Sequence, residues 1–269
     1  MQVEKSAGIL QESMVLESAA LGRMVTIDLY WPDGIRPEEM GLLLINDGQD
    51  LEKLGFRETL EDLTGRGRLL PLLCVGIHAG PDRKMEYGTA VEADYKGRGA
   101  RAGAYTGFIF KELLPQIHGQ YQVDRFREKA FAGWSLGALS AMDIVWAYPR
   151  EFSRVGLFSG SFWWRTRDKE DPAYTNADRI MHRQIREGGY SPGLKFFFEC
   201  GTADETEDRN GNGIIDSIDD TQDLIRELVA KGYEPGQDIA YLQIEEGRHD
   251  VATWAGVMPA FLEWGWGKE

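Results

Sequence analysis

The sequence lacks any stretch of about 18 consecutive apolar residues, the length at which a helix begins to span a bilayer. A transmembrane segment is therefore not predicted, and no membrane partner is expected. Basic side chains are also few: 30 Lys and Arg stand against 44 Asp and Glu, for a formal net charge of −14. Because nucleic acids and anionic lipid surfaces repel such a chain, neither is predicted as a partner.

Only two cysteines are present, Cys74 and Cys200, and each lies in an apolar run. This context predicts two buried thiols, because a chain of 269 residues can build a core without a disulfide framework. The N-terminal segment also lacks the basic and then apolar pattern of a secretory signal. As written, the chain is expected to be cytoplasmic; a trimmed chain would leave a periplasmic or secreted location open.

Apolar runs of strand length alternate with longer amphipathic segments. The runs at 41–47 and 68–78 are continuous, as expected of parallel strands that are buried on both faces. Other strands are predicted at 8–18, 22–32, 129–134, 154–160, 194–201 and 238–247, and helices near 102–121, 136–148, 177–187, 220–232 and 252–264. This alternation predicts one α/β domain over residues 1–269, with a mostly parallel central sheet and helices on both faces.

Ser135 is the centre of a G-x-S-x-G pentapeptide, Gly133 to Gly137, between a predicted strand and a predicted helix. That context is typical of a nucleophile elbow, a strained turn that exposes a serine hydroxyl at the end of a strand. Glycine is needed on both sides because Cβ atoms there would clash. We therefore predict Ser135 as a nucleophile.

A serine hydroxyl needs a base, and His249 is the best placed of four histidines because it follows the last predicted strand. In the chain order Ser, acid, His, the acid must lie between them. Asp204 lies just past the C-terminal end of the strand at 194–201 and is predicted to orient the imidazole. Glu205 is its nearest rival.

The segment 208–219 has the spacing of an EF-hand calcium loop. Counting from its first acid, oxygen-bearing residues occupy positions 1, 3, 5, 9 and 12, glycine occupies position 6, and position 7 offers a carbonyl. The predicted ligands are Asp208, Asn210, Asn212, Ile214 (through its carbonyl), Asp216 and Asp219. We predict a structural Ca²⁺ that braces the loop carrying the acid, and no organic cofactor; the alternative is a plain Asx-Gly turn.

Substrate contacts are predicted from aromatic and basic side chains near the strand ends. Trp163 and Trp164 follow the strand at 154–160, and Trp134 precedes the nucleophile. Arg83 lies in a long polar loop after the strand at 68–78, a kind of loop that often has a function. Core packing of the tryptophans and a solvated Arg83 remain the alternatives.

Together these residues resemble the "putative esterase" family of α/β-hydrolases, over about residues 20 to 265. The segment 46–49 (Asn-Asp-Gly-Gln) is similar to the family's strand-end D-G-Q, and 247–250 (Gly-Arg-His-Asp), followed by Trp254, is similar to its G-G-H-D. Arg248 departs from the second glycine of that pattern. The family includes enterochelin esterases, feruloyl and acetylxylan esterases, S-formylglutathione hydrolases and mycolyltransferases.

The resemblance implies an α/β-hydrolase fold and an oxyanion hole formed by two backbone N–H groups, those of Leu136 and Gln49. We therefore predict a serine carboxylesterase that acts on a small-molecule or glycan ester, with a siderophore, feruloyl or acetyl-sugar ester as the substrate classes. The alternatives are an acyltransferase of the mycolyltransferase type and a non-catalytic relative that binds carbohydrates or siderophores. The sequence does not predict an oligomeric state.

Overall fold

All eight strands lie in one sheet, in a computed structural model that describes residues 8–268. The strands are Ile9–Ser18 (β1), Arg23–Pro32 (β2), Gly41–Asn46 (β3), Leu72–Ile77 (β4), Lys129–Trp134 (β5), Arg154–Phe158 (β6), Lys195–Ala203 (β7) and Ile239–Arg248 (β8). Their order across the sheet is β1-β2-β4-β3-β5-β6-β7-β8. β2 pairs antiparallel with both β1 and β4, and all other pairs are parallel.

Helices connect and cover the parallel strands. They are Phe56–Gly65 (α1), Arg83–Glu86 (α2), Ala102–Phe108 (α3), Leu114–Tyr121 (α4), Leu136–Ala147 (α5), Ile180–Glu187 (α6), Asp216–Lys231 (α7) and Val251–Trp266 (α8). A π-helical segment, Ile109–Leu113, joins α3 to α4, and short 3-10 turns occupy Pro37–Glu39, Gly48–Asp50 and Asn176–Asp178. None of the helices in the described residues combines the length and apolar character needed to cross a membrane.

The core lies on both faces of the sheet. In β3, Leu42 and Leu44 pack into one apolar cluster while Leu43 and Ile45 pack into the other. α1 and α8 cover the second face, and α3 to α7 contribute to the first. Because successive strand residues point to opposite faces, burial on both sides explains the continuous apolar runs. The predicted α/β-hydrolase architecture is confirmed.

Several helix boundaries differ from the prediction. α1 was not predicted, although Phe56, Leu60 and Leu63 recur at helical spacing and are buried. α7 begins at Asp216 rather than near residue 220. α8 continues to Trp266 with Pro259 inside it. A proline removes one backbone donor from a helix, and the buried apolar face of α8 stabilises the helix on both sides of it.

Candidate active site

Ser135 forms a strained turn between β5 and α5. Its φ is 56° and its ψ is −126°, a conformation that residues other than glycine rarely adopt. Its N–H donates to the carbonyl of Phe158 at 2.9 Å, which ties the turn to the end of β6. A Cβ on Gly133 would lie 2.6 Å from the backbone of Gly137, so a glycine is required where α5 returns across the strand. The strand–turn–helix context predicted around Ser135 is present.

The loop after β3 packs directly on this elbow. Asn46 donates from Nδ2 to the carbonyl of Gly137 at 2.8 Å. A Cβ on Gly137 would lie 2.7 Å from Oδ2 of Asp47, and Asp47 itself has a left-handed backbone with φ of 58°. A Cβ on Gly48 would lie 2.4 Å from the backbone of Gly76. The second elbow glycine and Gly48 therefore let the two turns approach each other and β4.

Two backbone N–H groups begin helical turns at this point. Leu136 is the first residue of α5, and Gln49 lies within the 3-10 turn Gly48–Asp50. N–H groups in a first turn have no acceptor within their own helix, so both suit the predicted role of oxyanion donors. The side chain of Gln49 is engaged elsewhere, since its Oε1 accepts from the N–H of Ala79 at 3.0 Å.

Asp204 and His249 follow neighbouring strands. In the parallel β7–β8 pair, Ala203 lies opposite Arg248, so the residues that come next are Asp204 and His249. The register shifts between Gly201 and Ala203, an irregularity at the strand end that directs the chain out of the sheet. The sheet register thus brings the predicted acid and base together at the carboxyl edge, where Ser135 also lies.

The surroundings of His249 keep its imidazole neutral. Burial lowers its pKa below the usual value of 6.5, and the charge of Arg83 lowers it further. The carboxylates of Asp204 and Asp250 act in the opposite direction. The ring also packs edge-to-face on Trp254, with centroids 5.4 Å apart. A neutral imidazole at pH 7 can accept a proton, as a general base must.

No hydrogen bond joins the three predicted triad side chains within the described residues. Oδ2 of Asp204 accepts from Sγ of Cys200 at 3.4 Å, and Oδ1 is buried without a partner. Catalytic hydrogen bonds of ligand-free enzymes are often long and tighten when substrate binds. The roles of Ser135, Asp204 and His249 therefore stay predictions.

Glu205, the rival acid, faces a different part of the molecule. Burial raises the pKa of its carboxyl, and the backbone N–H of Ser217 in α7 lowers it. The nearby charges that raise this pKa further belong to Asp216 and Asp220, also in α7. Glu205 thus lies against the first turns of α7, while the charge of Asp204 acts on His249. Because the strand register also sets Asp204 beside His249, Asp204 stays the predicted acid.

Arg83 is engaged by a buried carboxylate. Its Nε lies 2.6 Å from Oδ1 of Asp47, and its Nη2 lies 2.7 Å from Oδ2. The side chain of Asp47 is 1% exposed and that of Arg83 is 29% exposed. Arg83 therefore braces the loop after β3, and its charge also reaches His249. The predicted substrate contact would have to come from its exposed part.

The predicted tryptophan contacts need correction. Trp134 is 2% exposed and stacks on Trp254, with centroids 5.8 Å apart. Trp164 is fully buried. Because neither offers surface to a substrate, both pack in the core. Trp163 alone of the three is half-buried, and the guanidinium of Arg98 lies 5.0 Å from its ring centroid.

Three polar residues near the site were not predicted. Glu199, in β7, is fully buried, and its Oε2 accepts from Oγ of Ser159 at 3.4 Å. Ser159 has a positive φ of 44° and accepts from Nε1 of Trp254 at 2.9 Å. A single acid inside the apolar run of β7 was the available signal, because a charged residue is almost never fully buried without a reason. Asn46 was visible only as part of the family motif.

The predicted calcium loop folds around two carboxylates. Asp208 accepts from the backbone N–H groups of Gly211, Asn212 and Gly213, which lower its pKa. Oδ2 of Asp219 accepts from Nδ2 of Asn210 at 2.8 Å and from Nδ2 of Asn212 at 2.9 Å. Four of the predicted ligands therefore share one hydrogen-bonded turn.

The other two predicted ligands are placed differently. Oδ1 of Asp216 accepts from the backbone N–H of Arg209 at 2.8 Å, and Oδ2 of Asp216 lies 3.4 Å from the guanidinium of Arg209. Ile214 is exposed at the outer end of the turn. Over residues 8–268, no three side chains of His, Cys, Asp or Glu form a group that could hold a metal ion. EF-hand loops also use Asn side chains and a carbonyl, so the calcium site stays a prediction.

Comparison with known proteins identifies relatives along most of the chain. The model of the family described as "Putative esterase" matches residues 18–264. The Bacillus subtilis protein "Uncharacterized protein YbbA" is 25% identical over 252 residues, 89% of this chain and 92% of the relative. The iron(III) salmochelin esterase of Escherichia coli O6:H1 is 22% identical over 242 residues, 88% of this chain and 53% of that protein. The chain thus spans about half the length of this esterase.

Solved structures share the fold. The enterobactin esterase FES from Shigella flexneri, in the presence of enterobactin, superimposes with a TM-score of 0.72 at 22% identity, covering 94% of this chain and 58% of that one. A ferulic acid esterase superimposes with a TM-score of 0.70 at 17% identity, covering 96% and 97%. The family match extends from the last residue of β1 into α8 and includes every predicted site residue. The chain therefore belongs to the Putative esterase family of ester hydrolases.

Proposed function

We propose that the protein is a serine carboxylic-ester hydrolase that works through an acyl-enzyme. Ser135 attacks the ester carbonyl while His249 accepts the hydroxyl proton and passes it to the leaving alcohol. Asp204 holds the imidazole in the productive tautomer and stabilises the imidazolium. The N–H groups of Leu136 and Gln49 bind the oxyanion. Water then attacks the acyl-enzyme, with His249 as its base, and releases the acid.

The strained backbone of Ser135 is the observation that carries this proposal. A non-glycine residue with φ of 56° and ψ of −126° persists only where its surroundings enforce it, and such strain concentrates at functional sites. Here the surroundings are the loop after β3, where Asn46 donates to the carbonyl of Gly137, and the end of β6, where the carbonyl of Phe158 accepts from the N–H of Ser135. The lowered pKa of His249 adds a base that is neutral near pH 7.

We further propose an ester with an aromatic group as the substrate class. Ser161 donates its N–H to the carbonyl of Ser135 at 3.1 Å, so the segment that carries Trp163 starts beside the nucleophile. The half-buried ring of Trp163 suits an aromatic group better than a small acetyl group. Salmochelin, enterobactin and ferulic acid esterases among the relatives agree with this choice.

Hydrolysis of p-nitrophenyl acetate by wild type, Ser135→Ala and Ser13→Ala tests the reaction. We expect Ser135→Ala to lose about 10⁴- to 10⁶-fold in kcat with an unchanged fold. Ser13 is an exposed serine of β1, so Ser13→Ala should match wild type. Absence of turnover by wild type, or activity of Ser135→Ala within about tenfold of it, contradicts the proposal. A panel of feruloyl, siderophore and acetyl-sugar esters then tests the substrate class.

We also propose that residues 208–219 bind Ca²⁺. The shared turn contains the carboxylates of Asp208 and Asp219 and the amides of Asn210 and Asn212, whose Nδ2 groups donate to Asp219. Carboxylate and amide oxygens are the hard ligands that Ca²⁺ prefers. The orientation of an Asn amide depends on its partners, so a cation would draw the oxygens toward Asp219. Bound calcium would brace the connection between β7 and α7, and with it the loop that carries Asp204. The ion would supply rigidity rather than chemistry.

A further inference from the structure

Glu199 is a buried acid that the proposed reaction does not use. It lies in β7, is 0% exposed, and its backbone carbonyl accepts from the N–H of Ser159 at 2.9 Å. Its Oε2 accepts from Oγ of Ser159, which in turn accepts from Nε1 of Trp254. Within residues 8–268, Oε1 is buried with no hydrogen-bond partner. Burial of a polar oxygen without a partner is costly, so this atom calls for an explanation.

The groups around Glu199 supply no positive charge. Among the described residues, three titratable side chains interact with the carboxyl of Glu199. They are Cys200 in β7, Asp204 directly after β7, and Tyr241 in β8. The hydrogen-bond partner of this carboxyl is the neutral hydroxyl of Ser159, directly after β6, and Nε1 of Trp254 in α8 donates to that hydroxyl. A buried carboxylate without a cation shifts its equilibrium towards the protonated acid.

Asp204 also has a buried carboxylate oxygen whose hydrogen-bonding capacity is not satisfied among the described residues. This atom, Oδ1, lies 2.7 Å from the position that a Cβ on Gly201 would take. Gly201 is two residues beyond Glu199 and therefore lies on the same face of β7. The charge of Asp204 also acts on Glu199. Two neighbouring carboxyl groups rarely ionise together, and the more buried one keeps the proton. Burial, with the charge of Asp204, raises the pKa of Glu199 to about 8. One O–H group between the two carboxyls would satisfy both unpartnered oxygens.

We propose that Glu199 is a positioning residue whose protonated carboxyl donates a hydrogen bond to the carboxylate of Asp204 and so holds it toward His249. This inference rests on the proposed function, since it assigns Asp204 as the acid. A carboxylate can accept several hydrogen bonds, so Asp204 can serve Glu199 and His249 together. Glu199 touches neither substrate nor reacting atoms and acts only through Asp204.

Ionisation of Glu199 should be visible at His249. Above about pH 8 the donor becomes a second carboxylate beside Asp204, which removes the hydrogen bond and adds negative charge. Negative charge favours imidazolium, so the pKa of His249 should rise as Glu199 ionises, and kcat should fall on the alkaline side. A merely structural Glu199, bonded only to Ser159, would leave both quantities unchanged.

Two variants, Glu199→Gln and Glu199→Leu, distinguish a positioning role of Glu199 from a merely structural one. The control is Glu245→Gln, which makes the same charge change at an exposed position of β8. Gln keeps the shape and a donor but cannot ionise. We expect Glu199→Gln to retain kcat within about threefold at pH 7 and to lose the alkaline decline. Glu199→Leu should lower kcat by about ten- to hundredfold with little change in KM. Glu245→Gln should keep the wild-type profile.

Proton NMR titration of His249, identified by its absence in His249→Gln, gives a readout that needs no turnover. We expect a second inflection near pH 8 in wild type and Glu245→Gln, and none in Glu199→Gln. If Glu199→Gln shows the wild-type titration and pH profile, the inference is wrong. If wild type does not hydrolyse esters, the proposed function fails while the titration still decides the inference. If Glu199→Leu does not fold, the Glu199→Gln comparison decides alone.

Discussion

Replacement of Arg83 by Met removes the guanidinium from a buried carboxylate at the centre of the site. Two parallel N–H···O contacts, of 2.6 and 2.7 Å, join Arg83 to Asp47. Such bidentate pairs are among the stronger charge-assisted hydrogen bonds. Asp47 is 1% exposed and in the described residues makes no other ion pair, so the substitution leaves its charge uncompensated.

The expected loss of stability follows from that burial. Breaking a buried ion pair on one side usually costs about 3–5 kcal/mol, because the remaining charge stays desolvated. Arg83 is 29% exposed, so water can enter beside Asp47 when the guanidinium is removed. We therefore expect Arg83→Met to lower the free energy of unfolding by about 2–3 kcal/mol. Asp47→Asn in the same chain should restore part of this loss, since it removes the unpaired charge.

Catalysis should respond through His249 as well. The charge of Arg83 lowers the pKa of His249, so its removal raises that pKa. A general base must be unprotonated, and a higher pKa keeps the imidazole protonated up to a higher pH. The acid limb of the kcat/KM profile should therefore move to higher pH in Arg83→Met. An accompanying rise in KM at high pH would reveal a substrate contact by the exposed part of Arg83.

Urea unfolding of wild type, both single variants and the double variant measures the coupling. Arg36→Met is the matched control, because Arg36 is 71% exposed and its ion pair with Glu39 should contribute about 0–1 kcal/mol. A destabilisation of Arg83→Met by less than about 0.5 kcal/mol would refute the argument that Asp47 depends on it. An acid limb that stays at the wild-type pH would show that the charge of Arg83 does not reach His249.

Two further predictions concern the loop after β7. Chelation with EGTA should lower the thermal midpoint of unfolding, and Ca²⁺ but not Zn²⁺ should restore it. Asp208→Ala should abolish this effect of EGTA. At ~100-fold excess over Kd, the bound ion would add about 2.7 kcal/mol to the free energy of unfolding. An unchanged midpoint under EGTA would contradict the calcium proposal. Asp204→Asn should lower kcat by as much as about 10⁴-fold, because an amide can favour the wrong imidazole tautomer. Glu205→Gln should be mild, and the reverse ranking would assign the acid to Glu205.

The sheet was predictable because its strands are buried on both faces. Leu42 to Ile45 alternate between two cores, so the strand appears in the sequence as an uninterrupted apolar run. Each predicted strand is present. α1 was missed because it is short and mostly polar, with only Phe56, Leu60 and Leu63 buried. The start of α7 was misplaced because residues of its acidic first turn also fit the calcium-ligand pattern.

The elbow was predictable for a different reason. The need for glycine at position 133 is steric and local, since a Cβ there would meet the backbone of Gly137 within the pentapeptide. Glycine at position 137 is needed because of Asp47, which is distant in sequence, and only the motif as a whole indicates it. Whether a tryptophan side chain faces the core or the solvent depends on tertiary packing and not on the neighbouring sequence. Trp163 and Trp164 are adjacent aromatic residues, and only their packing makes one half-buried and the other fully buried. Sequence pattern alone could not separate them.

The pairing of charges was the least predictable feature, and it determines the chemistry. Asp204 and Glu205 are chain neighbours of the same type, yet one acts on His249 and the other lies against α7. That difference comes from the register of β7 with β8, which sets Ala203 opposite Arg248 and so fixes which carboxyl faces the last loop. Parallel strands distant in sequence create these neighbours. A single acid in an apolar run can therefore identify a residue such as Glu199 as unusual, but only the sheet register reveals that its neighbour is the proposed catalytic acid.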